Sequence, residues 1–190
     1  MAVIIRKYKS EDREACQNIC IATAAPERVK TEKQRSALSC IYSDSYVDFT
    51  QNICFVAEDE EKGVVGYILC APDTKAYCRN ALKKHILPLC KTAPVDALLA
   101  MGELAAFCVL SVNHPAHMHI DILESHQRMG LGTQLVNTLL AELKAQNCKG
   151  LFLITDTGNK KGPQFYNKYG FTLKHKILFA LVYTIDIEKK

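Results

Sequence analysis

The chain has 190 residues, 48% hydrophobic and 23% charged, with a formal net charge of +4. That is the size and composition of one globular domain with an ordinary core. It excludes a membrane-spanning run, because the most apolar stretch, Ala97 to Val112, is interrupted by Glu103; basic residues scattered without interleaved aromatics argue against a nucleic-acid surface.

Taken in chain order, residues 2–8 alternate and read as a first strand, with an apolar stretch too short for a signal peptide. Ser10 is the expected N-cap of a helix running to about Ala24, with Glu11 in its first turn and Pro26 ending it. Residues 30–48 carry both helix and loop signals. Ile53 to Glu58 and Val64 to Ala71 form a hairpin around Glu61-Lys62-Gly63. A helical stretch starts at Pro72-Asp73 and runs to about Ile86; Pro88 and Pro94 break it, and a second helix reaches about Val112. Strand 117–123, helix 131–146, strand 150–155 and helix 160–169 follow, with Gly170 closing the last helix. Phe171 to Lys176 and Ile177 to Ile187 complete the chain as two strands. This order predicts a mixed α/β (α+β) sandwich.

The stretch Gln127-Arg128-Met129-Gly130-Leu131-Gly132-Thr133 joins an apolar strand to a helix whose Leu131, Leu135, Val136, Leu139, Leu140 and Leu143 share one face. Several backbone N–H groups therefore surround one point at the positive end of a helix, which suits phosphate or pyrophosphate. Gly130 and Gly132 let a ligand approach the backbone closely. The loop is not a dinucleotide fingerprint, since Leu135 stands where a third small residue is needed, and no Gly-Lys-Ser/Thr marks a P-loop. Downstream stand Asn159, Phe165-Tyr166 and Gly170-Phe171.

Gln/Arg-x-x-Gly-x-Gly/Ala followed by Asn-x6-Tyr-x3-Gly-Phe resembles the two motifs of the GNAT superfamily of N-acetyltransferases over residues 117–171. The resemblance implies a GNAT fold. Its mixed, mostly antiparallel central sheet would have about seven strands flanked by helices, with a cofactor-binding core at 117–171 in a single domain 1–190. It implies that the fourth and fifth strands splay and that the acyl chain lies between them. A helical insertion, 73–113, separates strands three and four. His114 to Leu123 and this insertion are similar to bacterial acetyltransferases related to the acetyltransferase-like domain of O-GlcNAc hydrolases; some of those domains have lost the phosphate loop, which this chain keeps.

The implied cosubstrate is acetyl-CoA. Its diphosphate would lie on Gln127, Arg128, Met129, Gly130, Leu131, Gly132 and Thr133, and its pantetheine arm on the backbone of Ile122 and Leu123 and on Asn159. A β-bulge near Ile122 would expose one N–H to the acyl oxygen. Asn159 also suits the N-cap of helix 160–169. Tyr166 is the candidate general acid, since a phenol of pKa ~10 protonates a thiolate of pKa ~8.5 and stays protonated at neutral pH. Phe165 is expected to face the core with Tyr169, turning Tyr166 to another side.

The acceptor amine must shed a proton. His117, His119 and Asp121 alternate along one strand and share a face. Asp121 is the candidate relay, against a reading as a buried residue that orders the strand. For the histidines the structural reading leads. The same spacing resembles a metal triad, but three such ligands span roughly 13 Å, so no metal is expected. Glu103 points either into the acceptor cleft or to solvent. Lys160 and Lys161 either attract the anionic cofactor or simply start a solvated helix.

The nine cysteines form no Cys-x-x-Cys pair, which suits free thiols in a reducing cytoplasm; a covalent route would need a thiol beside a base, and Cys108 precedes the histidine cluster but on a separate element. The expectation is thus direct transfer of acetyl from acetyl-CoA to a primary amine in a ternary complex. A catalytically silent acyl-CoA-binding or protein-recognition domain is the alternative, and a transferase using an oxygen acceptor or another acyl donor the third. The acceptor, small molecule or protein, is left open, as is a homodimer.

Overall fold

A computed structural model describes residues 2–188; Met1, Lys189 and Lys190, the ends of the expected domain, lie outside the described residues. Strands β1 (Val3–Lys7), β2 (Phe55–Asp59), β3 (Gly63–Ala71), β4 (Ala116–Ile122), β5 (Gly150–Asp156), β6 (Thr172–Ile177) and β7 (Ala180–Asp186) form one sheet in the order β1-β2-β3-β4-β5-β7-β6. All neighbours are antiparallel except β4 and β5. The mostly antiparallel seven-stranded sheet expected from the sequence is therefore the one observed.

Helices α1 (Arg13–Thr23), α2 (Glu32–Ser39), α3 (Ser45–Thr50), α4 (Thr74–Ala81), α5 (Leu87–Leu89), α6 (Pro94–Leu110), α7 (Leu131–Ala145) and α8 (Lys161–Tyr169) cover the sheet. Strand alternation sends Ile68, Cys70 and Met118 to the side of α7, and Tyr67, Leu69 and Phe152 to the side of α1, α3 and α4. All six apolar-face residues of α7 named above are buried. Each contributes about 1.5–3 kcal/mol of hydrophobic stabilisation, which holds the start of α7 against the sheet.

Three local expectations need correction, and one segment left open is settled. Ser10 does not cap a helix: a 3-10 turn spans Ser10–Asp12, and the Asp12 carboxylate instead accepts the Lys9 N–H at 2.8 Å and pairs with Arg6. The uncertain segment 30–48 is helical, because Thr31 and Gln34 close a reciprocal capping box before α2 and a π-turn at Cys40–Asp44 carries the chain into α3. Pro88 does not stop the helical stretch. A π-turn over Leu82–Ile86 precedes it, and in the first turn of α5 its missing N–H costs nothing. The strand expected from Ile177 starts at Ala180, because Leu178, at φ +38°, and Phe179 turn the chain.

Candidate active site

The mouth of α7 is built by its neighbours. Arg128 (φ +65°) and Gly130 (φ +82°) both take left-handed backbone, which curls residues 127–130 over the helix end. The first helical bond runs from Gln134 N–H to Gly130 O at 3.1 Å, so the amides of Leu131, Gly132 and Thr133 have no acceptor within the helix. Gly132 packs closely: a Cβ there would stand 3.2 Å from Phe165 Cζ on α8, so the ring would have to give by a few tenths of an ångström. The chain entering the loop is pinned on both sides. Buried His126 contacts buried Asp59 at 3.5 Å, and Asp59 also accepts the Glu61 and Lys62 N–H groups of the β2–β3 turn. Gln127 donates Nε2–H to Ile122 O at 2.9 Å and accepts from Lys161 Nζ at 3.2 Å.

Beside this mouth the sheet opens. Strands β4 and β5 pair only at Ala116↔Leu151 and His117↔Phe152; beyond them the strands diverge. The β3–β4 register runs without a shift from Ala71↔His117 to Gly66↔Ile122, so the expected bulge near Ile122 is absent and divergence alone opens the gap. Leu123 donates its N–H to Val65 O at 2.9 Å and has none to offer a ligand. By alternation, the Ile122 and Ile120 N–H groups face the opening.

A cleft of about 2060 Å³ runs from the α7 mouth through this gap to α1. That is larger than a pocket for one drug-sized molecule, which holds roughly 300–1,000 Å³. Lys161 lines it and bridges to Glu124 Oε1 at 2.8 Å as well as to Gln127. Asn159 also lines the cleft, and its Oδ1 accepts the Lys161 and Gly162 N–H groups at 3.2 and 2.9 Å, so it caps α8. Phe165 packs on the edge of the core beside Tyr169 as expected, but Tyr166 is not turned away from the core. Phe165 is half-buried against Gly132, whereas Tyr166 is buried and lines the cleft, its ring among Phe165, Phe171 and Tyr183. Burial first, then the negative charge of Asp121, raises the Tyr166 pKa well above the usual phenol range, so the proton stays on oxygen at neutral pH.

On the other side of the gap lies a polar pocket. Asp121 Oδ2 accepts the Tyr67 hydroxyl at 2.7 Å and lies 3.0 Å from His119 Nε2, at ion-pair distance without hydrogen-bond alignment. Burial favours neutral His119, but the Asp121 carboxylate and then Cys20 outweigh it and the pKa rises to about 10. Tyr42, carried by the first π-turn, packs its ring 5.4 Å from His119 and donates to Glu103 Oε2 at 2.7 Å. Glu103 therefore points inward, and burial raises its pKa. Arg28 covers the Tyr42 ring at the rim.

His117 has a different fate. It is buried among Tyr46, Tyr77, Phe107 and Phe152, with Nδ1 2.8 Å from Thr74 Oγ1. Burial, then the charge of His119, pushes its pKa down to about 3, so it is a neutral core residue. The donor atoms of Cys20, His119 and Asp121 lie within 4.8 Å of one another, so it is Cys20, and not His117, that completes the set. Cys108 is exposed on α6 and is not among the residues lining the cleft.

Comparison with known proteins bears on this arrangement. The acetyltransferase (GNAT) family profile matches residues 82–171, just under half of the chain. The crystal structure of SsHAT superposes with a TM-score of 0.87 at 22% identity, covering 98% of this chain and 99% of that one. The chain has the GNAT acetyltransferase fold. PaiA N-acetyltransferase from Thermoplasma acidophilum, solved with coenzyme A, shares this fold at a TM-score of 0.63 and 14% identity, over 98% of this chain and 99% of its own. The NatC complex bound to Gag peptide and CoA also gives 0.63, at 11% identity over the same shares. Among the described residues no helix is long and apolar enough to cross a membrane.

Within this GNAT fold, the sequence motifs did not point to Tyr67, Tyr42, Cys20 or the His126–Asp59 pin. Tyr67 meets Asp121 only through the β3–β4 register, and Tyr42 is aimed by a π-turn that has no periodic signature. The His119 contacts have a measurable consequence. Because its folded pKa, about 10, exceeds the ordinary value of 6.5, the pair contributes stability that is complete below pH 6.5 and lost as pH rises through 10. The His119 Cε1–H NMR resonance should titrate far above the ordinary histidine range; a midpoint at or below 6.5 contradicts the pairing.

Proposed function

We propose that the protein is an acetyl-CoA-dependent N-acetyltransferase acting on a primary amine by direct attack in a ternary complex. What carries the reading is one juxtaposition: the unpaired amides at the mouth of α7 open into the same cleft as the β4–β5 gap, buried Tyr166 and the Asp121 pocket. The diphosphate of acetyl-CoA would rest on the N–H groups of residues 128–133, with Lys161 adding positive charge at the rim. The pantetheine arm would enter the gap and pair with the free N–H groups of β4, passing Asn159. One of those, on Ile122, is the donor available to the thioester oxygen.

On the acceptor side, an alkylammonium would dock against Asp121 and lose its proton to that carboxylate through water. His119, already cationic, is a poor proton acceptor and instead holds Asp121 in place. The amine nitrogen then attacks the thioester carbon, the carbon–sulfur bond breaks, the departing thiolate takes the phenolic proton of Tyr166, and the second proton shed by the new amide nitrogen returns through water to the Tyr166 phenolate. No cysteine is acylated on this route. The narrower kinship with acetyltransferases related to O-GlcNAc hydrolases is supported by His114–Leu123 and by α4–α6 between β3 and β4.

The test is to mix the protein with acetyl-CoA and a panel of small amines, amino sugars, polyamines and peptides, and to follow free thiol. At least one amine should release coenzyme A with matching N-acetyl product. Tight binding of acetyl-CoA without turnover on any acceptor would favour the silent domain. Lys161→Ala should weaken acetyl-CoA binding by roughly two- to fivefold at low salt, the range of one exposed charge, and less as salt rises. Unchanged affinity at low salt would remove Lys161 from the cofactor site.

A further inference from the structure

Helix α6 is apolar on two faces, and only one of them is covered. Ala97, Ala100 and Phe107 turn inward and are buried. Its outer side carries Val95, Leu98, Gly102, Ala105 and Val109, continued by Val112 just past the helix end, and all six are exposed. The large members of this row, with Leu99 beside them, keep between 65% and 74% of their surface bare. Between Ala97 and Val112 the one charged residue is Glu103, and it points inward to Tyr42. A helix that is apolar all round belongs in an interior. With roughly 100 Å² for each exposed valine or leucine, the bare face offers roughly 500 Å² per chain, at the upper end of what lone soluble proteins expose.

The spacing of the row identifies what covers it. Steps of three and four residues alternate along its length, the pattern of a seam between two paired helices. Its size profile reads the same in both directions: large, large, small, small, large, large. A second α6 laid antiparallel, with a two-fold axis between Gly102 and Ala105, sets Val95 against Val112 of the other copy, Leu98 against Val109, and Gly102 against Ala105. Small residues meet at the centre, where the helices must come closest, and a Cβ at Gly102 has open space for 4 Å around it. Large residues meet at both ends. Antiparallel helix dipoles also attract. Two such faces bury roughly 1,000 Å², the lower bound for a stable pair. We propose that α6 is the homodimer interface of this protein, two copies joined by an antiparallel α6–α6 seam.

The proposal goes beyond the transferase reading and is tested without assaying activity. None of the seam residues lines the cleft, so changes there should leave coenzyme A binding intact. Sedimentation should show the wild type as a dimer at micromolar concentration. Leu98→Glu and Val109→Lys, both at exposed positions, should each give folded monomers with an unchanged circular dichroism spectrum and a melt that no longer depends on protein concentration. Mixed together, the two variants should reassociate, because residues 98 and 109 face each other twice across the axis. A monomeric wild type, a Leu98→Glu protein that remains dimeric, or a mixture that stays monomeric would each overturn the proposal.

Discussion

Tyr166→Phe should lower turnover by roughly 10²- to 10⁴-fold, the range for loss of a general acid, while acetyl-CoA affinity stays within about twofold of wild type. The hydroxyl is the group removed; the ring, packed among Phe165, Phe171 and Tyr183, stays where it was. Burial and Asp121 keep the proton on the phenol at neutral pH, so the departing thiolate meets a loaded acid. If the tyrosine only bonded the cofactor sulfur, affinity would fall with turnover. If turnover stays near wild type, another proton donor, water included, serves the thiolate. Steady-state kinetics with an active acceptor, beside calorimetric affinity, separates the outcomes.

Gly132→Leu should weaken acetyl-CoA binding by roughly 10²- to 10⁴-fold, because losing two charge-assisted hydrogen bonds costs about 3–6 kcal/mol. The side chain fits neither inward nor outward. Inward it meets the Phe165 ring, already 3.2 Å from a mere Cβ, and displaces the α8 residues that bring Tyr166 to the cleft. Outward it covers the amides of the α7 mouth. Gly132→Ala isolates the smaller effect of the Cβ. A leucine variant that keeps wild-type affinity, measured by calorimetry with the fold checked by circular dichroism, would move the diphosphate elsewhere.

Much of the cofactor half was legible from residue order because its signals are local. The glycine-bearing turn, the apolar stripe of α7, Asn159 and the Gly170 stop each lie within one turn or one helix, and a short window suffices to read them. The acceptor half was legible only in part. His119 and Asp121 share a face by alternation along one strand, but Tyr67 reaches Asp121 through strand pairing and Cys20 comes from α1, far away in sequence. Residues 32–50 carry a local start signal, the Thr31-x-x-Gln34 capping box, but the π-turn at Cys40–Asp44 shifts the apolar period by one residue and masks the helical pattern beyond it. The gap between β4 and β5 was expected from family resemblance alone. Its cause lies in divergence after two paired residues, which no spacing along either strand encodes.

A crystal structure of the protein grown with coenzyme A puts the central assignment to its most direct trial. The diphosphate oxygens should lie within hydrogen-bond distance of backbone N–H groups of residues 128–133, with the pantetheine arm running between β4 and β5 toward Tyr166. Coenzyme A held at any other surface, or crystals in which the α7 mouth stays empty at saturating ligand, would contradict it.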